Sequence, residues 1–591
     1  MKKKLLAILL SVCIAIAAAF TLVACGGTSN GGNGSADNNG GNSATTTTDG
    51  DKTDDKTDNK DNADDKKDDG KKDDGKKDDG GSTEREATKG LQFTRLADDT
   101  YAVTGYKGTD GDVYIPSTYG SAKDPITSIA DGAFTDNYAI TNVTIGNNLT
   151  SVGKNAFKNC RNLKGVTLGT GVKTIGEQAF YGANQLTDVT FPNGLTSIDG
   201  EAFRGCAGLT SVTLPDSVTS VGSNAFQECA NITSASIGNG LTEISWSMFN
   251  GCTKLANVTI GSNVKTISVD AFYNCEKLAN VTLPDSVTEI QDRAFFSCKS
   301  LTSIEIPAGI EHMGQSAFKH SGVTYAEYDN ANYIGNKNNN YLVLVEAKSA
   351  DITSCDMNAS TRVIAGSAFR NCEELTNVTI PDSVITIDVA AFSGCYGLTN
   401  LTMGNGVIYI EQRAFSSCAF TSVTIPDSTT KIAEFAFSDC TSLVNLTIGS
   451  NVASIGNNAF YGCKVLTSVV IPDKVTAIES STFCGCEALT SVTIPSGVTF
   501  IGSSAFYDCK KLTGVTIPSA VTVIDALAFG NCESLTTITI PVGVRRVESG
   551  AFSGCAKLTT INCEVDQRPV GWSASWCDSC NAKVNWGYTG K

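Results

Sequence analysis

The apolar and polar positions of the chain repeat with a fixed period. Phe134, Phe157, Phe180, Phe203, Phe226, Phe249, Phe272, Phe295 and Phe318 stand 23 residues apart, and the series runs again from Phe369 to Phe552 with one step of 22, between Phe415 and Phe437. Nine and nine give 18 phenylalanine-marked units. Within a unit such as 202–221, Leu209, Val212 and Leu214 are apolar and Thr213 is polar. The period-2 pair Val212/Leu214 predicts a short strand with two side chains on one face and Thr213 on the other. Pro215 ends that strand, because proline has no N–H for a ladder. Ten of the 13 prolines hold this position, and glycine replaces it at Gly146, Gly238 and Gly449. The next pair, Val218 and Val221, predicts a return along the opposite side, with Ala225 and Phe226 filling the space between.

One coil of this kind cannot bury its own apolar faces. Stacked at about 4.8 Å, each coil covers the next, so stability accumulates along the array and its ends need caps. The pattern therefore predicts a repeat solenoid with a first block at 125–321 and a second at 363–562. Leu91, Phe93, Tyr101, Val103 and the repeat-like Val113-Tyr114-Ile115-Pro116 predict an N-terminal β cap over 90–124. Trp572, Trp576, Trp586 and Tyr588 predict a hydrophobic C-terminal cap over 563–591. The interval from Phe318 to Phe369 is 51 residues, 28 more than one period. It predicts a tyrosine-rich insert over 322–362, read as a β-hairpin spliced between the two blocks.

The unit Ala-Phe-x-x-Cys-x-x-Leu-x-x-Val-x-Ile-Pro-x-x-Val-x-x-Ile-x-x-x resembles the BspA-like (bacterial surface protein A type) leucine-rich repeats, over about residues 90–591. The resemblance implies a leucine-rich-repeat, β-rich, right-handed curved solenoid with short strands joined by turns and short helical segments. It also implies a cell-surface role in adherence, without a catalytic site, toward host matrix proteins, host cells or other microbes.

The first residues state an address. Lys2, Lys3 and Lys4 precede an apolar stretch from Leu5 to Phe20, and Leu22-Val23-Ala24-Cys25 resembles a lipobox. The expectation is a signal peptide over 1–24, a diacylated Cys25, and a lipid-anchored chain on the extracellular side of the cell membrane. From 25 to 89 the chain is Gly/Asn/Thr-rich and then alternates Asp-Asp and Lys-Lys pairs, too polar to build a core, which predicts a disordered linker. Its Asp-Asp-Gly runs lack the alternating acids and distal glutamate of a calcium loop.

Composition narrows the chemistry. A formal net charge of -16 sets nucleic acid aside as a partner, since its phosphates repel an acidic chain. Fifteen of the 22 cysteines, from Cys160 to Cys555, lie three residues after a repeat phenylalanine, where an inward-facing thiol satisfies backbone groups. Cys577 and Cys580 lack the further ligands a zinc site needs and the βαβ setting of a thioredoxin-like motif. His312 and His320 are the only two histidines, and no nucleophile elbow, zinc helix or phosphate loop accompanies them. No cofactor or metal is expected, nor an enzyme.

Two surfaces remain as candidates for ligand contact. One is the outward strand column that includes Thr167, Thr190, Thr213, Thr259 and Thr282; the other is the insert, where Tyr325, Tyr328 and Tyr333 would form a contact surface if exposed. Either would suit a protein or glycan ligand on host or neighbouring cells. The competing expectation is a structural envelope protein, or a binder of wall polysaccharide, without a host ligand.

Overall fold

The computed structural model describes residues 85–590. The leader, Cys25 and residues 26–84 of the linker lie outside the described residues. Residues 142–145, 165–167 and 188–190 open a ladder of parallel face strands, headed by Asp112–Ile115 from the cap. The next face sheet joins Ser211–Leu214, Ser234–Ile237, Asn257–Thr259 and Asn280–Thr282. Pairing follows the period, with Val212 opposite Ala235 and Thr213 opposite Ser236. Val212 and Leu214 are buried while Ser211 and Thr213 are exposed, the alternation that period 2 requires. Two-residue return strands, among them Ser197–Ile198 and Ser220–Val221, form a second parallel ladder on the other side.

The repeat phenylalanines fill the space between the ladders. Within each block successive rings lie 4.7 to 5.7 Å apart between centroids and at most 13° from parallel. Parallel displaced rings at this spacing avoid the repulsion of a face-to-face sandwich. The single step of 22 is absorbed locally: Phe420 takes the place of the repeat leucine and sets its edge against Phe415 and Phe437 at 6.1 and 6.2 Å.

The short helical segments implied by the family resemblance are absent among the described residues; every unit crosses back through turns instead. The reason is backbone geometry. Two positions per coil take positive φ, such as Asn155 at 56° and Asn159 at 58°, and a left-handed residue stops a right-handed helix. Their N–H groups point along the solenoid axis to carbonyls of the following coil, Asn155 to Glu177 at 2.9 Å and Asn159 to Tyr181 at 2.7 Å. Turn and stacking thus satisfy the backbone together.

Both ends are covered. At the N-terminus the hairpin Leu91–Arg95 and Tyr101–Tyr106 places Val103 in the core and continues the return ladder into Asp124–Ile129. At the C-terminus Lys583–Trp586 pairs with Thr560–Cys563 as one more face strand. Trp572 and Trp576 are buried there, and Trp576 meets the last ring of the stack, Phe552, edge-on at 6.0 Å.

The insert is an antiparallel meander of Ala326–Tyr328, Ala331–Asn336 and Asn339–Ala347. Its last strand pairs in parallel with Val363–Ile364, so it enters the return ladder as an extra rung. The coil before the insert also touches the coil after it: Arg362 Nε donates to the Ile310 carbonyl at 2.7 Å and the Gly366 N–H to the Met313 carbonyl at 2.8 Å. The insert thus supplies the strand that opens the second return sheet, and the coil before it meets that sheet through these contacts.

Candidate functional site

The face ladder builds two columns of hydroxyls with different fates. Threonines one residue ahead of the strands direct their Oγ1 along the stack to the preceding coil: Thr187 donates to the Lys164 carbonyl and Thr233 to the Thr210 carbonyl, both at 3.1 Å. Thr376, Thr399, Thr490 and Thr559 repeat the contact. These hydroxyls are used up by the fold. Thr167, Thr190, Thr213, Thr259 and Thr282 sit in the outward column and are exposed. Among the described residues their hydroxyls bond to no other protein group, so they are open to an external partner. Asparagines flank them and bridge coils, as where Asn280 Nδ2 donates to Asn257 Oδ1 at 3.0 Å.

Across the C-terminal ends of three neighbouring face strands, beside this column, lies a shallow groove of about 590 Å³. Leu214, Pro215 and Asp216 form one wall, Ser236, Gly238 and Asn239 the floor, and Thr259 and Gly261 the far side. Glycine stands in the proline position in the two later of its coils, at Gly238 and Gly261. A Cβ on Gly261 would stand 2.3 Å from the Gly238 carbonyl oxygen, and one on Gly238 would stand 2.6 Å from the Pro215 carbonyl carbon. Side chains are excluded there and backbone lines the hollow. The turn beside it is fixed by side-chain relays: the Asn239 N–H donates to Asp216 Oδ1 at 2.7 Å, and the Ser262 N–H to Asn239 Oδ1 at 2.8 Å. No aromatic ring lines the groove. The replacement at Gly238 was visible in the sequence; its meaning as a hollow came only with the packing of Gly261 against it.

The insert tyrosines do not share one exposed surface. Tyr333 is fully buried rather than exposed, because its position in the central strand of the meander turns it onto the core beside Cys355 and Ile364. Tyr325 is half-buried, and burial pushes its hydroxyl well above the ordinary range. Tyr328 is exposed, yet it packs edge-on against Tyr341 at 5.7 Å and Tyr333 at 6.4 Å. The tyrosines form one internal cluster, and Tyr328 alone of the three offers a free face. The main-chain N–H of Lys337 and Asn336 Nδ2 tie the meander to Glu305 at 2.7 Å and to the Ile306 carbonyl at 2.8 Å.

The cysteine ladder is part of the core. Fourteen of its thiols donate to the carbonyl of the phenylalanine in the preceding coil, at 3.1 to 3.4 Å. Cys372, the first after the insert, reaches Ser349 instead, at a weaker 3.9 Å. Burial pushes Cys229, Cys298 and Cys440 up to about 12. The histidines are likewise engaged in packing: His312 Nδ1 lies 3.5 Å from Asp388 across the splice, and His320 sets its ring edge against Phe296 at 5.0 Å. No group of His, Cys, Asp or Glu able to hold a metal occurs among the described residues, and no described helix is long and apolar enough to cross a membrane.

The repeat signature described as BspA type leucine-rich repeat region matches in six copies, over residues 118–233, 219–341, 362–487 and 453–574, which is more than half of the chain. The chain belongs to the BspA-type leucine-rich-repeat family. No curated protein matches it. Among solved structures it is similar to a leucine-rich repeat protein from Bacteroides ovatus, at 25% identity over 70% of this chain and 98% of the other, with a TM-score of 0.37. It is also similar to a leucine-rich cell surface protein from Faecalibacterium prausnitzii, at 28% identity over 74% and 100%, with a TM-score of 0.31. A leucine-rich repeat protein of T. pallidum shares 26% identity over 36% of this chain and 88% of its own, with a TM-score of 0.31.

Proposed function

We propose that this BspA-type protein is a non-catalytic recognition module at the cell surface, held there by lipid on Cys25, and that it mediates adhesion by laying an extended protein segment along the outward face of the strand ladder. The observation that carries the reading is the column of exposed, unpartnered threonine hydroxyls running beside the groove at Ser236, Gly238 and Thr259. Each hydroxyl can donate and accept, so a polar strand-like ligand finds the same contact in coil after coil and many weak contacts sum. The lack of aromatic rings in the groove favours a peptide over a sugar, which stacks on such rings.

The test is binding of the full-length chain to an array of extracellular-matrix proteins and glycans, beside a Ser236→Arg/Thr259→Arg variant and a Tyr328→Ala variant. A saturable protein ligand whose affinity drops at least about tenfold, or 1.4 kcal/mol, in the arginine variant supports the strand face. A ligand lost only with Tyr328→Ala moves the site to the insert, a glycan hit replaces the protein ligand, and an array without any saturable hit returns the chain to a structural envelope role.

A further inference from the structure

Cys577 and Cys580 differ from the ladder cysteines in sequence spacing and in exposure. They share one turn, closed by the Cys580 N–H donating to the Cys577 carbonyl at 3.2 Å. Such a turn keeps its end Cα atoms within about 7 Å, the range in which a disulfide forms. Both side chains are half-exposed, whereas the ladder cysteines are buried. Neither thiol donates to a carbonyl as the ladder thiols do; the two sulfurs contact each other. They sit directly after Trp576, which covers Phe552, and just before the closing strand Lys583–Trp586, so a bond between them would fix the turn that joins the two.

We propose that Cys577 and Cys580 are a redox modification site, oxidised to an intramolecular disulfide by a small-molecule or protein disulfide, and that the bond locks the C-terminal cap over the end of the stack. Burial and the neighbouring sulfur push the Cys577 thiol up to about 12. The thiolate of one cysteine attacks one sulfur of the oxidant, breaking its S–S bond and releasing one thiol. The other cysteine then attacks the protein sulfur of the mixed disulfide and expels the second thiol. The pair gives up two electrons and two protons, and both protons end on the released thiols. The ladder takes no part, since its thiols are sealed from the oxidant.

The experiment treats the folded, reduced full-length chain with oxidised glutathione, alkylates the remaining thiols under denaturing conditions, and maps the cysteines by mass spectrometry. The expected result is an internal bridge between Cys577 and Cys580, with loss of about two hydrogens, while Cys160 to Cys555 are all alkylated. In Cys577→Ser the expected product is a mixed disulfide of glutathione on Cys580. Tryptic cleavage after Lys583 should be at least about threefold slower in the oxidised wild type than in the reduced one, because a clasped cap opens less often. Equal cleavage rates, recovery of both thiols in alkylated form, or bridges within the ladder would overturn the proposal. Should Cys577→Ser lose its cooperative melting transition, the wild-type map and cleavage rates decide alone.

Discussion

Phe272 has 0% of its surface exposed and stacks between Phe249 and Phe295 at 5.7 and 5.2 Å. Removing its ring leaves a void that neighbours held in register on both sides cannot close. Phe272→Ala should therefore cost about 3–5 kcal/mol in chemical denaturation, while an exchange at exposed Thr282 in the neighbouring coil should stay within about 0.5 kcal/mol. The thiol ladder makes a second prediction at this scale. Burial raises thiols such as Cys229 from 9.0 to about 12, so above pH 9 the unfolded chain releases protons that the folded chain keeps. The folded state then binds more protons than the unfolded one, and stability falls as pH rises, by about 1.4 kcal/mol per pH unit for each such thiol. Melting curves between pH 7 and 11 should show a flat region below 9 and a steep drop above it; an unchanged Tm to pH 11 would contradict the burial of the ladder.

At the scale of elements, the strand and its turn were readable from spacing alone. Val212, Thr213 and Leu214 alternate in the structure as they alternate in the chain, because a strand's period needs no tertiary information. The crossing segment was harder to read. Ala225-Phe226-Gln227-Glu228-Cys229 fits a helical turn by propensity, but Glu228 at a φ of 62° donates its N–H to Asn250 in the next coil rather than to its own turn. Stacking overrode propensity there. The splice around the insert rests on a few polar contacts, chief among them His312 with Asp388, whose carboxylate also accepts the Met313 N–H at 2.9 Å. Burial works against the charged imidazole, but Asp388, with Glu411 and Glu289 adding to it, outweighs burial and raises its pKa. Protonation is thus favoured in the folded state, and this contribution is present below the ordinary value of 6.5 and lost as pH rises through the raised one. His312→Gln should narrow the difference in Tm between pH 5.5 and 8 relative to wild type; an identical difference would show that the pair is not felt at the splice.

For the whole molecule, repetition converts a weak local contact into an extended surface. If one coil contributes little and the ligand spans several, affinity should fall in steps as more coils are altered. Changing Thr213 alone to arginine should weaken binding less than about tenfold, and changing Thr213, Ser236 and Thr259 together should abolish it. Surface plasmon resonance on the two variants checks this, with equal losses pointing to a single hot spot instead. The outward threonine column was legible in the sequence as a period-2 position. Which of the two threonine columns is free was not, since that depends on where the neighbouring coil places its carbonyls.

The sequence by itself determined the solenoid, its period, the recurring apolar positions of the repeat and the place of the interruption, because each follows from local alternation and from a phenylalanine that recurs every 23 residues. Only the tertiary structure decided the rest. Tyr333 went inward because the meander joined the return ladder, the groove lies where Gly238 and Gly261 became neighbours, and the thiols found the phenylalanine carbonyls one coil back. These are contacts between residues a full period apart or more, and their geometry is set by how coils stack rather than by the residues along any one of them.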